Sequence, residues 1–355
     1  MSSQFQHLTL HDQDRIDELL QTFPMRDIHH EPRYVRLFQE YTTQEARYFY
    51  FQKGRIHVMA AFFERALPSK TSVASKDLVS PWYYGGPLYV FDDATEFEDA
   101  FQEYLSRLDS YCKENHIVSE FQRCNPTLEN HQPYRGDAGL SFNRKVVAID
   151  LQKSMEIIRG EYEHKARKNI KRAHESGLRT VRSADPAAIE TFERLYARAM
   201  ERKKAGQFYF FNERFFRHLF EIFPEEAQLF TVYKGPDAIA SSIVLGNHVI
   251  LHDYLRAADP EFLALRPNDL LVDEISAWAR GAGYREYVLG GGNSNSQDDT
   301  LFKFKASFSP LTRDFYLYKK IHDREAYEAR CLSEGKSSGE LKYEQANYFP
   351  EYATS

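Results

Sequence analysis

The 355-residue sequence predicts an α+β protein with two similar halves, each a mixed, largely antiparallel sheet flanked by helices. Long segments with helical spacing of apolar residues alternate with shorter apolar runs typical of strands. The order of helices and strands in the first half is repeated with variation in the second. A composition of 42% hydrophobic and 28% charged residues is that of a globular protein, and the length allows two cores.

The first half begins with an amphipathic helical segment, "DRIDELLQTF", followed by the strand-like runs "ARYFYFQKG" and "HVMAAFFER". The turn-rich "SPWYYGGPLYVF" leads into a long helical pattern, "ATEFEDAFQEYLSRLDSYCKENH", and then the strand "IVSEFQRC". Dense aromatic runs in both halves, such as "YYGGPLYVF" and "FYFFNERFF", predict that large flat side chains supply much of the core and line any groove.

The second half begins near "RKVVAIDLQ" with a strand, followed by one long predicted helix, "MEIIRGEYEHKARKNIKRAHESGL", that ends at Gly177. After the strand "LRTVRS", Asp185 and Pro186 supply the N-cap and first residue of the helix "DPAAIETFERLYARAMERKKA". The strands "AQLFTVYKG" and "AIASSIVLGNHVILHDYLRAA", the helix "NDLLVDEISAWARGAGY" and the strand "REYVLGGG" complete this half.

Composition and motifs argue against several classes of protein. A net charge of −6 argues against broad wrapping of nucleic acid, so such contact would be confined to a local basic patch. Three scattered cysteines predict reduced thiols, and the absence of a signal-peptide pattern or a long apolar run predicts a cytoplasmic protein. No nucleotide-binding or zinc motif occurs, and His29 and His30 would point to opposite faces of a strand, so we predict no metal and no cofactor.

The stretch "LGGGNSNSQDDTLFKFKASF", residues 289 to 308, is the first candidate site. Its three consecutive glycines are Gly290, Gly291 and Gly292. They either form a simple turn after the strand or let a backbone or ligand approach closely. If "LFKFKASF" is a strand, Lys303 and Lys305 share one face, and each is either a surface charge or a group pointing into a cleft.

The basic run "HKARKNIKR" is the second candidate site. On a helix Lys165, Lys168 and Arg172 align on one face, with Lys171 beside them. Such a face is either solvated or contacts the phosphates of a nucleic acid, with an affinity that depends on salt and not on sequence.

The second half resembles the Fem-type (FemABX) peptidyltransferases, the aminoacyl-tRNA-dependent branch of the GNAT superfamily. The likeness rests on "HKARKNIKRAHESGL", "DYLRAADPEF", "PNDLLVDEISAWARGAGYREYVLGGG" and "LFKFKASF", and the first half matches less closely through "YYGGPLY" and "SEFQRCNP". The resemblance implies two tandem GNAT-like domains, at residues 1–146 and 147–317. It also implies a C-terminal helix and tail, residues 318–355, that pack back on the first domain.

The resemblance implies aminoacyl transfer from aminoacyl-tRNA to an amine of a UDP-linked or lipid-linked peptidoglycan precursor or similar cell-envelope peptide. A lipid-linked acceptor would bring the protein to the membrane surface. The family's F-K-x-x-F motif matches residues 304–308, so Lys305 is expected to stabilise the charge that develops during acyl transfer. The group that accepts the proton stays open among Asp298, Asp299, Asp253, His252 and a ribose hydroxyl of the substrate.

The resemblance also assigns groups to the two substrates. The basic face would contact the tRNA acceptor stem. The precursor cleft would be lined by the three glycines and by Tyr84, Arg202, Tyr254 and Arg256. Two segments that bind the precursor in the family are missing here, a Q-S-x-x-W type segment and an aspartate after the Gly-Pro turn, so the acceptor is left open.

Two alternatives remain at the level of sequence. The first is an acyl-CoA-dependent N-acyltransferase acting on a small amine or amino sugar. Such enzymes normally carry an R/Q-x-x-G-x-G/A loop before a helix, whereas the equivalent stretch here is "ALRPNDLL", without a glycine. The second is a binding module without catalytic activity, which would not need Lys305.

Overall fold

The structure is a computed structural model that describes residues 2–68, 74–203, 206, 210–247, 249–296, 298–335 and 349–353. The chain forms two compact units. Unit 1 comprises residues 1–143 and 314–355, and unit 2 comprises residues 144–313. Much of the predicted C-terminal tail, residues 336–348 and 354–355, lies outside the described residues.

Unit 1 is built on a sheet with the strand order β1-β2-β3-β4-β6, in which β5 also pairs with β3. Its elements up to β6 are β1 (Ser3–Leu8), α1 (Gln13–Leu20), α2 (Pro32–Thr42), β2 (Glu45–Lys53), β3 (Ile56–Ala66), β4 (Lys76–Val79), β5 (Leu88–Val90), α3 (Ala94–Glu114) and β6 (Ile117–Arg123). Asp93 caps α3 by accepting hydrogen bonds from the backbone N–H groups of Thr95 and Glu96. The buried face of α3 places aromatic rings such as Phe101 and Tyr104 in the same core as Phe49 and Phe51 of β2.

The two histidines of the segment "DIHHEPRY" do not lie on a strand. Residues Ile28–His30 form a short 3-10 helix that the Asp27 side chain caps, and both histidines are buried. His29 packs edge-on against Tyr34 and stacks on Tyr83, at ring-centroid distances of 4.8 and 5.3 Å. His29 therefore belongs to an aromatic core.

Unit 2 is built on a sheet with the order β7-β12-β11-β10-β9-β8, in which only β11 and β12 are parallel neighbours. Its elements are β7 (Leu140–Asp150), whose first four residues belong to unit 1, α4 (Met155–Glu161), α5 (His164–Glu175), β8 (Leu178–Arg182), α6 (Pro186–Lys203), α7 (Glu213–Ile222), β9 (Ala227–Lys234), β10 (Asp237–Gly246), β11 (Ile250–Ala258), α8 (Pro267–Gly281), β12 (Glu286–Gly290) and α9 (Thr300–Ala306). The predicted capping of α6 is confirmed, because Asp185 accepts a hydrogen bond from the Ala188 N–H and Pro186 is the first helical residue.

The single long helix predicted after β7 is in fact two helices, α4 and α5. The chain is extended at Tyr162, whose buried ring packs edge-on against Phe308 at 5.2 Å. Core packing of this ring therefore interrupts a segment whose local pattern favours a continuous helix. The predicted end of α5 is confirmed, since Gly177 follows the helix with a φ of +71°.

The chain returns to unit 1 through β13 (Thr312–Ile321) and α10 (Arg324–Ser333). Strand β13 pairs antiparallel with β6, with Leu317 opposite Arg123. Just beyond β13, His322 lies between the carboxylates of Asp109, at 2.8 Å, and Glu120, at 3.1 Å. Burial disfavours the imidazolium, but the hydrogen bonds to these carboxylates dominate and raise the pKa of His322 to about 11.

None of the helices in the described part of the chain combines the length and the apolar character that crossing a membrane requires.

Candidate active site

The segment "LFKFKASF" forms a helix and not the strand considered above. Asp299 caps α9 by accepting hydrogen bonds from the N–H groups of Leu301 and Phe302, both at 2.9 Å. In a helix, residues two apart point about 200° away from each other. Lys303 and Lys305 therefore occupy opposite sides of α9 instead of one shared face.

The two lysines consequently differ in environment. The Lys303 side chain is 60% exposed and forms an ion pair with Asp298, which is 92% exposed. The Lys305 ammonium instead donates a hydrogen bond to the carbonyl of Gly291 at 2.8 Å. Of the two lysines, only Lys305 is half-buried and held in place by a backbone carbonyl.

Burial lowers the pKa of the Lys305 ammonium from 10.5 to about 8. The Asp253 carboxylate opposes this change, the cations of Arg256 and Lys203 reinforce it, and Asp299 weakly opposes it. A lysine in this state still carries its charge at neutral pH, but it is poorly solvated. Such a group can stabilise a developing oxyanion more strongly than a lysine in water.

At each of the three positions before α9, the backbone conformation or the close packing within unit 2 favours glycine. Gly290 has a φ of +82° and follows an irregularity in the pairing of β12 with β7. A Cβ atom on Gly291 would lie 2.8 Å from the Arg144 side chain, and one on Gly292 would lie 2.5 Å from the Asp299 carboxylate. The glycines thus allow the loop to pack closely enough for Lys305 to reach the Gly291 carbonyl.

A polar cluster on β11 and its neighbours, consisting of Ser242, Asp253, Arg256 and Tyr287, supplies two of the charges near Lys305, those of Asp253 and Arg256. Asp253 accepts hydrogen bonds from the Ser242 hydroxyl at 2.9 Å and from the Arg256 guanidinium at 3.0 Å. Arg256 also approaches the Tyr287 hydroxyl and the Asn268 carbonyl, each at 3.3 Å. The buried charges of this cluster are paired, and this pairing offsets much of the desolvation free energy of placing them away from water.

Strand β11 diverges from its parallel neighbour at this cluster. Pairing between β11 and β12 covers only Ile250 to His252, although β11 continues to Ala258. On the other side, a bulge occurs at Tyr254, since Val244 lies opposite Asp253 and Ile243 opposite Leu255. Bulges and diverging strands re-aim side chains, and here they place the polar cluster where the sheet opens.

The three aspartates considered as proton acceptors are not equivalent. Asp299 is engaged by the N–H groups of α9 and by those of Asn293 and Ser294, so it has a structural role. Asp298 faces solvent in its ion pair with Lys303. Asp253 and Asp299 both act to raise the pKa of Lys305, and of these two only Asp253 belongs to the polar cluster.

The remaining residues assigned to substrates are distributed as follows. Arg202 is exposed in the last turn of α6. It is next to Lys203, whose positive charge lowers the pKa of Lys305. Tyr254 is buried on β11. Tyr84 belongs to unit 1, where its ring packs edge-on against Tyr83 and Phe315. Roles for these residues in substrate binding stay predictions.

Helix α5 carries the predicted basic face. The side chains on this face are exposed, and they are Lys165, Lys168, Lys171 and Arg172. Ala166 and Ala173 form the buried side of the helix. Lys171 forms an exposed ion pair with Glu175 at 3.6 Å. Such a pair contributes little to stability, so the face is not explained by intrahelical pairing.

The N-terminus of α8 has features that sequence reasoning missed. Arg266 precedes the helix with a φ of +67°, and Pro267 is the first helical residue. Asp269 in the first turn is buried and accepts a hydrogen bond from the Asn169 amide of α5 at 2.9 Å. Burial raises the pKa of Asp269. Only the acidic residue in a first helical turn was visible in the sequence, and it is too common there to indicate such a contact.

Comparison with known proteins gives one family match and several similar structures. Residues 161–304 match a family described as "Acetyltransferase (GNAT) domain". No curated protein matches the sequence. The crystal structure of FemX is 13% identical, with a TM-score of 0.68 over 92% of this chain and 99% of FemX.

Two further structures share the fold. The C-terminal domain of a "Putative Lysylphosphatidylglycerol Synthetase" from Agrobacterium fabrum is 16% identical, with a TM-score of 0.52 over 89% of this chain and 93% of that domain. A conserved protein of unknown function from Bacteroides thetaiotaomicron is 11% identical, with a TM-score of 0.57 over 90% of this chain and 100% of its own. At these identities the likeness is one of fold.

These comparisons confirm the predicted fold class and the resemblance on which it rested. The family match covers residues 161–304, which include α5, the polar cluster and the three glycines, and it ends one residue before Lys305. The chain shares the fold of FemX, and residues 161–304 of its second unit match the family described as a GNAT acetyltransferase domain.

Proposed function

We propose that the protein transfers an aminoacyl group from aminoacyl-tRNA to an amine of a peptidoglycan precursor or another cell-envelope peptide, in the cytoplasm. The observation that carries the proposal is the Lys305 ammonium, which is desolvated, held by the Gly291 carbonyl and bordered by the Asp253–Arg256 pair. This arrangement suits acyl transfer because an oxyanion forms when an amine attacks an ester.

The reaction needs few protein groups. The acceptor amine attacks the ester carbonyl, and the oxyanion of the tetrahedral intermediate is stabilised by Lys305. The intermediate then expels the ribose oxygen of the tRNA. The proton lost by the amine is transferred to that oxygen, either directly or through Asp253, and no covalent enzyme intermediate is required.

The surroundings of α8 support tRNA over acyl-CoA as the donor. A helix N-terminus binds pyrophosphate through free N–H groups and a favourable dipole. Here Pro267 removes one N–H group, and the Asp269 carboxylate in the first turn is an acidic group where an anion would approach. The hydrogen bond from Asn169 to Asp269 joins α5, the helix that carries the basic face, to this end of α8.

An acyl-CoA-dependent N-acyltransferase is the second candidate function, because the matching family is described as an acetyltransferase domain. Its substrate would be a small amine or an amino sugar. The two donors can be compared directly by incubating purified protein with radiolabelled aminoacyl-tRNA or acetyl-CoA and a UDP-linked precursor peptide. We expect transfer from tRNA only. Transfer from acetyl-CoA alone would refute the donor assignment, and transfer from neither would favour a binding module.

The basic face provides a separate test of the donor. Replacing Lys165, Lys168 and Arg172 by alanine should weaken tRNA binding. It should also reduce the slope of log K against log salt by about 2 to 3, since each lost phosphate contact accounts for about 0.9. A control variant should remove two exposed cations of α3 in unit 1, Arg107 and Lys113, and should leave the slope unchanged. Equal slopes for the triple variant and the parent protein would contradict the assignment.

A further inference from the structure

Unit 1 contains a cavity that neither the fold comparisons nor the transfer reaction explains. Its volume is about 340 Å³, which lies within the range typical of small-molecule sites. Strand β5, the first turns of α3 and the 3-10 helix Gln132–Tyr134 with its neighbours form its walls. The cavity is therefore made by three separate segments of one unit.

Aromatic rings form the apolar part of the cavity. Tyr89, Phe91, Phe97 and Phe101 all contribute to its lining. Phe91 stacks on Phe97 at 4.5 Å and lies nearly parallel to Tyr89 at 6.1 Å. The Phe91 side chain nevertheless remains 36% exposed, because one part of its ring faces solvent instead of the core. A flat ligand could cover this surface by stacking on it.

Polar side chains form the remainder of the lining. They are Glu98, Gln102, Gln132 and Arg135. Glu98 and Gln102 are four residues apart on α3, so both project from the same side of the helix. None of these four side chains has a hydrogen bond or ion pair with another group in the described part of the chain. Their donors and acceptors are therefore available to a ligand.

The chemistry of the lining selects a class of ligand. One carboxylate and one guanidinium line the cavity, so a ligand of either charge would meet a repulsive group as well as an attractive one. The two amides each offer a donor and an acceptor. A matching ligand is uncharged, has many groups that both donate and accept hydrogen bonds, and has an apolar face that packs on an aromatic ring.

We propose that this cavity binds the pyranose ring of a neutral sugar. The C–H face of the ring would pack on Phe91, and its hydroxyl groups would bond to Glu98, Gln102, Gln132 and Arg135. A hydroxyl both donates and accepts, so the same ring can use a carboxylate, a guanidinium and an amide. This binding does not depend on the transfer reaction proposed above, and it requires neither tRNA nor Lys305.

Ligand-observed saturation-transfer NMR on the full chain, with N-acetylglucosamine as the probe, tests the proposal. We expect saturation strongest at ring C–H protons and a Kd in roughly the millimolar range, as for a single small contact surface. Uracil and choline, a planar base and a cation, should bind at least tenfold more weakly. Absence of saturation with the sugar would overturn the proposal, as would tighter binding of uracil or choline.

Two variants locate the binding. Phe91→Ala should weaken sugar binding at least tenfold, and Gln132→Ala should weaken it severalfold. Phe142→Ala is the matched control, because Phe142 is also a phenylalanine of unit 1, is 49% exposed and does not line the cavity. Phe142→Ala should leave the Kd unchanged. An unchanged Kd in Phe91→Ala would place the sugar elsewhere, and Lys305→Ala should retain binding even if transfer is lost.

Discussion

Replacing Lys305 by methionine is expected to slow acyl transfer and, at the same time, to stabilise the fold. Methionine keeps a long unbranched side chain but removes the ammonium. Loss of a single preorganised oxyanion stabiliser lowers turnover by roughly a hundredfold or more. The matched control is Lys303→Met, which removes an exposed amine from the opposite side of α9 and should change the rate less than about twofold.

The expected gain in stability follows from the pKa of Lys305. A pKa lowered from 10.5 to about 8 means that the charged amine destabilises the folded state by about 3 kcal/mol. Loss of the hydrogen bond to the Gly291 carbonyl offsets about 1 kcal/mol of the gain. We therefore expect Lys305→Met to raise the free energy of unfolding by about 2 kcal/mol at pH 7.

The sign of this effect depends on pH in a defined way. Below pH 8 the amine is charged in both states and the folded state bears the full cost, so the gain from Lys305→Met is greatest there. The cost falls as pH rises from about 8 to 10.5, because the folded state loses its proton first. Denaturant unfolding at pH 7 and pH 10 should show the gain at the lower pH only.

Single-turnover transfer measured against pH completes the test. The parent rate should fall above pH 8 as Lys305 loses its proton, and the methionine variant should lack that decline. A variant with the parent rate would return Lys305 to a structural role. A variant that is slow and also less stable at pH 7 would show that the buried amine holds the glycine loop together, which would refute our account of its cost.

Two further predictions concern packing and ion pairing. Gly292→Ala would place a Cβ atom 2.5 Å from the Asp299 carboxylate that caps α9, and should cost about 1 to 3 kcal/mol and slow transfer. Gly160→Ala, where nothing lies within 4 Å, should not destabilise, and calorimetry of both variants checks this contrast. His322→Gln should cost about 3 kcal/mol at pH 6 by breaking a buried pair. The folded pKa of His322 is about 11, so the stability that this histidine contributes is complete below its unfolded pKa and is lost as pH rises toward 11. The destabilisation by His322→Gln, measured by denaturant unfolding, should therefore be smaller at pH 10 than at pH 6. A destabilisation that does not change with pH would contradict this prediction.

The sequence predicted elements whose signals are local. The capped start of α6 at Asp185 and Pro186 and the end of α5 before Gly177 depend on residues within one turn of each other. The α9 segment was misassigned because its four residues 302–305, which alternate Phe and Lys, satisfy a strand pattern as well as a short helix. The Asp299 cap decides in favour of the helix.

The candidate site was only partly accessible to sequence reasoning. Lys305 and the glycines form a motif within 289–308, so they could be found by inspection. The pairing of Asp253 with Arg256, the contact of Arg256 with Tyr287 and the bond from Asn169 to Asp269 join different strands and helices. Such contacts depend on sheet register and on the bulge at Tyr254, which no local pattern specifies.

The path of the chain between the units has a consequence for synthesis on the ribosome. Unit 2 is a single continuous segment that ends at Arg313, whereas unit 1 obtains its strand β13 only from residues made afterwards. During translation, all of unit 2 is therefore available to fold before β13, the strand that pairs with β6, has been synthesised. The nascent chain holds an exposed strand edge at β6 for the time needed to make about 200 residues, or roughly 10 to 40 seconds at ordinary rates of synthesis. Closing this edge late makes unit 1, and not the unit that carries Lys305, the part most exposed to misassembly before the chain is released.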